Sequence, residues 1–205
     1  MFDLEPLVDF FITSNKLKST MRYESCSDKI QDSTAGHCWQ VAFMVPIIAR
    51  ELNLSIDVLH AMEIASVHDL PEYIDQKDYD SYFVFIGKLN KSDKDKSEEA
   101  VMSDLKNRFH FGHIIYSLWK EYTECKTPEA RFVKALDKIE SHFHIIQRGG
   151  LVREDNHLVY QITYADNAVR NFPQLEPLLK AAKDKLRILI ESQGLVWKDE
   201  YNYPN

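Results

Sequence analysis

Hydrophobic residues recur at helical spacing along almost the whole of this chain. Residues 4–17 carry apolar side chains every three or four positions, which predicts an amphipathic first helix. A second apolar run ends near Leu52 and begins at Ser33 or Thr34, both of which are good N-cap residues. Pro46 lies inside this run and predicts a kink in the second helix.

The third predicted helix begins at Ser55 or Asp57 and keeps its apolar spacing as far as His68. Pro71 follows closely and favours a break, or the start of a new helix, just after this point. The segment 88–97 consists largely of lysine, aspartate and serine, which predicts a charged surface loop.

Helical periodicity resumes after that loop and continues through the rest of the chain. The predicted helices there span 98–109, 112–124, 128–148, 156–171 and 174–193. Thr127 before Pro128 marks a helix N-terminus, and Gly149 marks the stop of the same helix. No strand-like alternation of useful length interrupts the pattern, so the sequence predicts an all-α fold.

Composition narrows the class of protein. The chain has 205 residues, of which 44% are hydrophobic, and this is enough to bury the core of one domain. Cys26, Cys38 and Cys125 lack the close spacing of a disulfide framework or a thiolate zinc site, and they indicate a reducing compartment. The net charge of -7 argues against nucleic-acid binding, and no apolar run reaches the ~18 residues of a membrane span. The N-terminus shows no signal-peptide pattern, so we expect a cytoplasmic protein without a membrane partner.

Ligand-type residues lie within three of the apolar segments. His37 lies in the second predicted helix, His68 and Asp69 are adjacent near the end of the third, and Asp137 lies in the helix after Pro128. Two imidazoles and two carboxylates form a mixed nitrogen and oxygen shell that suits a divalent cation and leaves positions for water. A buried hydrogen-bonded network of the same residues without a metal is the alternative.

These residues resemble a known signature. The order His, His-Asp, Asp, together with the segments TAGHCWQVA at 34–42 and ASVHDLPE at 65–72, resembles the HD superfamily of phosphohydrolases and within it the HD-type 5'-deoxynucleotidases. The resemblance implies a single helical HD domain over 1–205, with the metal-site core at about 5–150 and further helices at 151–205. It also implies one divalent ion, Co, Mn, Zn or Mg, and a nucleoside 5'-monophosphate as substrate.

The resemblance assigns further roles in the site. Glu72 corresponds to the family's general acid/base, and its spacing from His68 places it on the same side of the segment. Arg22 would bind the 5'-phosphate, with Lys18 a weaker candidate, and Tyr23 would form a wall of the pocket.

Two positions depart from the family pattern. Gly36 stands where the family has a glutamate before the first metal histidine, so a carboxylate that supports the metal ligand is expected to be missing. The family's Thr-Gly-Asp downstream of the His-Asp pair is replaced by 75–78, where Asp75 or Asp78 would have to contact the sugar.

Other interpretations remain open at this level. The substrate could be another phosphate ester, such as a guanosine polyphosphate or a cyclic nucleotide. His110 and His113 could supply a second metal, or the chain could be a ligand-binding module without turnover. The family commonly forms dimers, so a homodimer is expected. The terminal aromatic residues either serve an interface or fold back on the core: Trp197, Tyr201 and Tyr203.

Overall fold

The protein is helical throughout the residues that the computed structural model describes, which are 3–23, 32–75, 81–149 and 154–203. The helices are α1 Glu5–Ser14, α2 Thr34–Glu51, α3 Val58–Val67, α4 Glu72–Asp75, α5 Ser81–Phe85, α6 Lys91–Arg108, α7 Gly112–Glu124, α8 Pro128–Arg148, α9 Asp155–Thr163, α10 Asp166–Arg170 and α11 Glu176–Ser192. Within these ranges the β-type pairing is one isolated bridge between Met21 and Ser33. The all-α prediction is confirmed.

The helices that carry the candidate ligands begin where side chains cap them. The Ser33 hydroxyl accepts the Gly36 N–H at the start of α2, and the Asp57 carboxylate accepts the His60 N–H at the start of α3. Thr127 caps α8 in the same way. Each cap satisfies a backbone donor that would otherwise be unpaired, so these three starts follow directly from the sequence.

The prediction of a surface loop at 88–97 is wrong from residue 91 onward, because α6 begins at Lys91 and runs through the charged stretch. The Asn90 side chain accepts the Ser92 N–H and caps the helix, and Lys94 pairs with Glu98 one turn later at 3.5 Å. Lysine favours a helix as well as the surface, and Asp93 in the first turn interacts favourably with the helix dipole. The polarity of the segment therefore indicated exposure and not irregular backbone.

The prediction of one helix over 156–171 is also wrong, since α9 ends at Thr163 and α10 begins at Asp166. The Asp166 carboxylate accepts a hydrogen bond of 2.7 Å from the buried Lys183 ammonium, which also donates to the Tyr201 carbonyl at 2.8 Å. This buried pair fixes α10 to α11 and to the C-terminal turn.

The C-terminal aromatic residues fold back on the protein. Tyr201 is fully buried, and the Trp197 ring packs against it at a centroid distance of 5.3 Å. Tyr203 packs against the main core. None of the three is therefore presented as an open interface.

One hydrophobic core joins α2, α3 and α8 to the C-terminal helices. Val41, Ile64 and Leu136 represent the first three helices, and Val169 and Leu179 represent α10 and α11. The prediction that 1–205 forms one domain stays a prediction, but this packing fixes the helices that carry the ligands relative to one another. Across the described ranges, no helix combines the length and apolar character needed to cross a bilayer.

Candidate metal centre

The structure brings the four predicted ligands together where α2, α3 and α8 meet. His37 projects from α2, His68 and Asp69 follow the last residue of α3, and Asp137 projects from α8. The side chains of both histidines and of Asp137 are buried, and that of Asp69 is partly buried.

The α-helical hydrogen-bond pattern ends at the His-Asp pair, although the backbone of His68 keeps helical φ and ψ angles. The helix α3 ends at Val67, and the turn that follows is closed by hydrogen bonds from the Leu70 N–H to the Val67 carbonyl and from the Glu72 N–H to the Asp69 carbonyl. Adjacent residues on a regular helix point about 100° apart. In this turn the two side chains nevertheless converge, with His68 Nε2 3.3 Å from Asp69 Oδ2, and the helix ends before Pro71 as the sequence predicted.

The ligand atoms lie close to one another. The Nε2 atoms of His37 and His68 are 3.2 Å apart, and the Asp69 Oδ2 lies 3.3 Å from His68 Nε2 and 3.7 Å from His37 Nε2. All three of these residues offer ligand atoms within 4.8 Å of one another. Asp137 is not part of this group, because its carboxylate oxygens do not lie within 4.8 Å of the ligand atoms of all three residues. Its Oδ1 is nevertheless 3.2 Å from His37 Nε2.

The Nδ1 atoms of both imidazole rings donate hydrogen bonds to protein acceptors. His37 Nδ1 lies 2.6 Å from the Glu140 carboxylate, and His68 Nδ1 lies 2.7 Å from the Ala65 carbonyl oxygen. Carboxylates and carbonyls only accept hydrogen bonds, so each Nδ1 carries the hydrogen. In the neutral imidazoles the two Nε2 lone pairs then face each other at 3.2 Å, and this arrangement requires a cation or a proton between them.

The charges around the two rings favour a cation at this point. Burial acts to raise the pKa of Asp137, but Lys138, whose ammonium is 2.9 Å from Oδ2, and His37 hold it well below its usual range. Burial also opposes ionisation of Asp69, yet His68 keeps the pKa of that carboxyl low. Burial lowers the pKa of His68, but the Asp69 charge and Cys38 outweigh it and raise that pKa well above its usual value.

These distances fit a divalent metal. For metal–ligand bonds of about 2.1 Å, neighbouring ligands in tetrahedral or octahedral geometry lie about 3.0 to 3.4 Å apart, close to the separations found here. The donor set of imidazole nitrogen and carboxylate oxygen suits Zn, Co, Mn or Mg rather than a thiolate-selective ion. The residues present therefore fit a divalent cation.

The expectation that a supporting carboxylate is missing is wrong, because Glu140 takes that role. It lies one turn after Asp137 on α8 and accepts the His37 Nδ1–H. At Gly36, the position of the family's glutamate, a Cβ atom would lie 3.0 Å from an Asp32 oxygen. The spacing of Asp137 and Glu140 by three residues was the signal that could have identified this partner.

A second acidic group next to His37 is an ion-pair cluster. Asp32, His37 and Glu140 have ligand atoms close to one another. The Arg22 guanidinium, however, lies 4.0 Å from the Asp32 carboxylate and 3.8 Å from that of Glu140. A cation is therefore already present beside both carboxylates.

Glu72 lies next to the centre and outside both groups of possible ligands found among the described residues. It begins α4, its side chain is buried, and its Oε2 accepts a hydrogen bond of 2.8 Å from the Thr34 hydroxyl. Thr34 is the first residue of α2 and lies one turn before His37. This contact fixes the carboxylate of Glu72 near the metal ligands.

The predicted substrate residues lie in different places. Arg22 lies next to Glu140, and the partly buried Tyr23 ring stacks on the His144 ring of α8 at 4.8 Å, so Tyr23 packs against α8. Asp75 ends α4, and nothing is described of its side chain. Asp78 lies outside the described residues.

The alternative second metal site is not formed by the described residues. His110 and His113 are exposed at the start of α7, and His113 Nδ1 donates to the His110 carbonyl at 3.0 Å. Neither belongs to a group of possible metal ligands found in the described ranges.

A cavity of about 650 Å³ opens beside the candidate ligands, and its mixture of charged and aromatic side chains was not predicted from the sequence. His68 and Asp69 line one side, and aromatic side chains such as Phe85 and Tyr160 line another. Five lysines contribute to the wall: Lys91, Lys94, Lys120, Lys134 and Lys138. The same wall carries five carboxylates, so the cavity is lined by charges of both signs and is not a basic patch: Asp69, Asp95, Glu98, Glu99 and Glu124.

We expect the purified protein to bind about one divalent ion per chain. Asp69→Asn should weaken metal binding by on the order of 100-fold or more, because loss of an outer partner of a ligand alone costs about 10- to 100-fold. Elemental analysis after dialysis against a defined metal buffer measures both. Asp184→Asn removes an exposed carboxylate on α11 and serves as the control. Unchanged metal content in Asp69→Asn would contradict the site, and two ions per chain would favour a dinuclear centre.

Relatives with assigned names match part of this chain. It is 29% identical to the 5'-deoxynucleotidase HDDC2 of Dictyostelium discoideum over 144 residues, which cover 65% of this chain and 72% of the relative. It is 30% identical to the protein of the same name in Danio rerio over 116 residues, which cover 55% of this chain and 53% of the relative. The match therefore spans about half the length of the second relative.

Solved structures share the fold. A predicted metal-dependent phosphohydrolase from Magnetospirillum magnetotacticum aligns with a TM-score of 0.71 at 18% identity, covering 95% of this chain and 96% of that one. The PH0347 protein of Pyrococcus horikoshii aligns with a TM-score of 0.69 at 26% identity, covering 87% and 99%.

The family profile described as HD domain matches residues 14–176, a range that includes all four candidate ligands. The resemblance to HD-type phosphohydrolases found in the sequence is confirmed by this match and by the named relatives. Because the match extends over most of the chain, the protein belongs to the HD-domain family.

Proposed function

We propose that this protein is a metal-dependent phosphohydrolase that removes the 5'-phosphate from deoxynucleoside monophosphates. The observation that carries the proposal is the pair of imidazole Nε2 atoms, 3.2 Å apart and close to the Asp69 and Asp137 carboxylates, beside a cavity lined with lysines, carboxylates and aromatic rings. The two relatives named as 5'-deoxynucleotidases support the choice of substrate class. A guanosine polyphosphate or a cyclic nucleotide remains the alternative.

The chain would hold the metal through His37, His68, Asp69 and Asp137. A bound divalent ion would polarise a phosphoryl oxygen and lower the pKa of a water molecule. The hydrogen bonds from His37 to Glu140 and from His68 to Ala65 fix the orientation of the two rings. Co, Mn, Zn and Mg all suit these ligands. Comparing the protein after it has been reloaded with each of these ions distinguishes among them.

Glu72 is the group that we propose for proton transfer. Its carboxylate is buried next to the centre, and the Thr34 hydroxyl, which is a neutral donor, fixes one oxygen. A glutamate in this position can take a proton from the attacking water and return one to the leaving 5'-oxygen.

Arg22 and the acidic residues after α4 keep their predicted roles as part of the proposal. The Arg22 guanidinium lies next to Glu140 and, through it, next to His37. Contact of Asp75 or Asp78 with the sugar would determine the preference for deoxyribose.

A homodimer is the quaternary structure that we propose. Trp39, Phe43 and Ile47 project from one face of α2 and are about half exposed or more, and the first two rings stack at 5.4 Å. Exposed apolar side chains on one helix face favour burial against a second protein surface. The mass measured by sedimentation velocity tests whether the protein is a dimer. Cytoplasmic location stays a prediction based on cysteine usage.

A phosphate-release assay tests the proposed function directly. Ribo- and deoxyribonucleoside 5'-monophosphates should be incubated with protein that has been stripped of metal and reloaded with Co, Mn, Zn or Mg. We expect release from deoxynucleoside 5'-monophosphates in at least one metal form and no release from the stripped protein. Turnover of only guanosine polyphosphates or cyclic nucleotides would identify the alternative, and no turnover at all would favour a binding module.

Glu72→Gln should keep the metal and the fold while kcat falls by roughly 10²- to 10⁴-fold, which is the usual contribution of a positioned acid or base. The amide keeps the shape of the side chain but cannot act as a base near neutral pH. Metal content and kcat are measured on the same preparation, with Glu63→Gln on the exposed face of α3 as the control. Near-wild-type kcat in Glu72→Gln would contradict the assignment, and loss of the metal would make Glu72 a ligand.

Arg22→Ala should mainly raise KM, by roughly 10- to 100-fold, because a guanidinium that binds phosphate does so in both ground and transition states. Steady-state kinetics with the best deoxynucleotide provides the measurement. Arg187→Ala, which removes an exposed arginine from α11, is the matched control. A KM equal to that of the wild type would show that Arg22 acts only within its ion-pair cluster.

A further inference from the structure

The metal centre by itself carries little net charge. A divalent ion bound by the ionised Asp69 and Asp137 would form a neutral unit, because the two histidines remain neutral as ligands. A phosphate monoester is close to a dianion at neutral pH, and the whole protein carries -7. Another cation must therefore lie within reach of the phosphate if the site is to attract it.

Most of the lysines at the cavity are already paired. Lys138 lies 2.9 Å from Asp137 and donates to the Tyr164 hydroxyl at 2.7 Å. Lys120 lies 2.7 Å from Glu99, and Lys94 lies 3.5 Å from Glu98. The positive charge of these three groups is compensated within the wall of the cavity.

Two lysines of the lining, Lys91 and Lys134, have no ion pair among the described residues, and Lys134 is the one on the helix that carries Asp137. Its ammonium lies 3.9 Å from the centroid of the Tyr122 ring, and no carboxylate among the described residues lies within 4.0 Å of it. It lines the same cavity as His68 and Asp69. The Tyr122 hydroxyl donates to Asp137, so the ring that supports the Lys134 ammonium is fixed to a metal ligand.

Lys134 also lies in the right place on its helix. It precedes Asp137 by three residues and Lys138 by four, so all three project from neighbouring positions of α8. Burial and the adjacent Lys138 ammonium lower the pKa of Lys134 to about 8, which leaves the group mostly protonated at neutral pH. The charge of Arg22, unlike that of Lys134, is already paired with two carboxylates, those of Asp32 and Glu140.

We propose that Lys134 is a second phosphate-binding cation of this site beside Arg22, and that its ammonium contacts phosphoryl oxygens of the nucleotide bound at the metal. The proposal rests on the proposed function for the identity of the substrate. The contact exists before and during reaction, so Lys134 contributes to the binding of both substrate and released phosphate.

Titration of inorganic phosphate into the metal-loaded protein tests this without turnover. Calorimetry at neutral pH should show that Lys134→Met raises the Kd for phosphate by roughly 10- to 100-fold, as expected for a charged hydrogen bond. Lys134→Arg should bind phosphate to within about threefold of the wild type. Metal content should equal that of the wild type in both variants, and Lys185→Met, on the exposed face of α11, is the control.

Three results would overturn the proposal: phosphate binding by Lys134→Met within about twofold of the wild type, loss of the metal from that variant, or no phosphate binding by the wild type. If Lys134→Met does not fold, Lys134→Gln provides the same comparison. A wild type that binds phosphate through Lys134 but hydrolyses no nucleotide would keep this assignment and remove the proposed function. Nucleotide hydrolysis by the wild type, together with unchanged phosphate binding by Lys134→Met, would keep the proposed function and remove the assignment of Lys134.

Discussion

The contact between His37 and His68 is the constraint on which the rest of the site depends. Each ring donates through Nδ1, so the two Nε2 lone pairs meet at 3.2 Å in the protein interior. Two buried acceptors at this distance repel unless a positive charge lies between them. The core that packs α2 against α3 holds the rings in this arrangement, and a bound cation converts the repulsion into coordination.

The helix α8 supplies the charged groups that surround the two histidines. Asp137 brings a carboxylate to His37, and Glu140 fixes the tautomer of the same ring from the other side. Lys138 compensates Asp137, and Lys134 adds a positive charge that faces the cavity. One helix thus carries a proposed metal ligand, the hydrogen-bond partner of another proposed ligand and the lysine that we propose for binding phosphate.

The sequence predicted the parts of this arrangement that depend on local rules. Apolar spacing, the Thr127 cap and the break before Pro71 are encoded within a few residues, and the His-Asp order indicated the family. The role of Glu140 was missed because it depends on α2 meeting α8, about 100 residues apart in sequence. The helix at 91–97 was missed because lysine suits both a helix surface and a loop, and the Asn90 cap was not recognised. Polarity alone does not distinguish the two.

The environment of the metal is the most direct test of this account. X-ray absorption at the cobalt edge of Co(II)-loaded protein reports the atoms bound to the ion. Two imidazole nitrogens at about 2.1 Å, with oxygen atoms filling the remaining positions, are the result that the geometry of His37 and His68 predicts. A shell without imidazole scattering, or one that contains sulfur from the neighbouring Cys38, would contradict it.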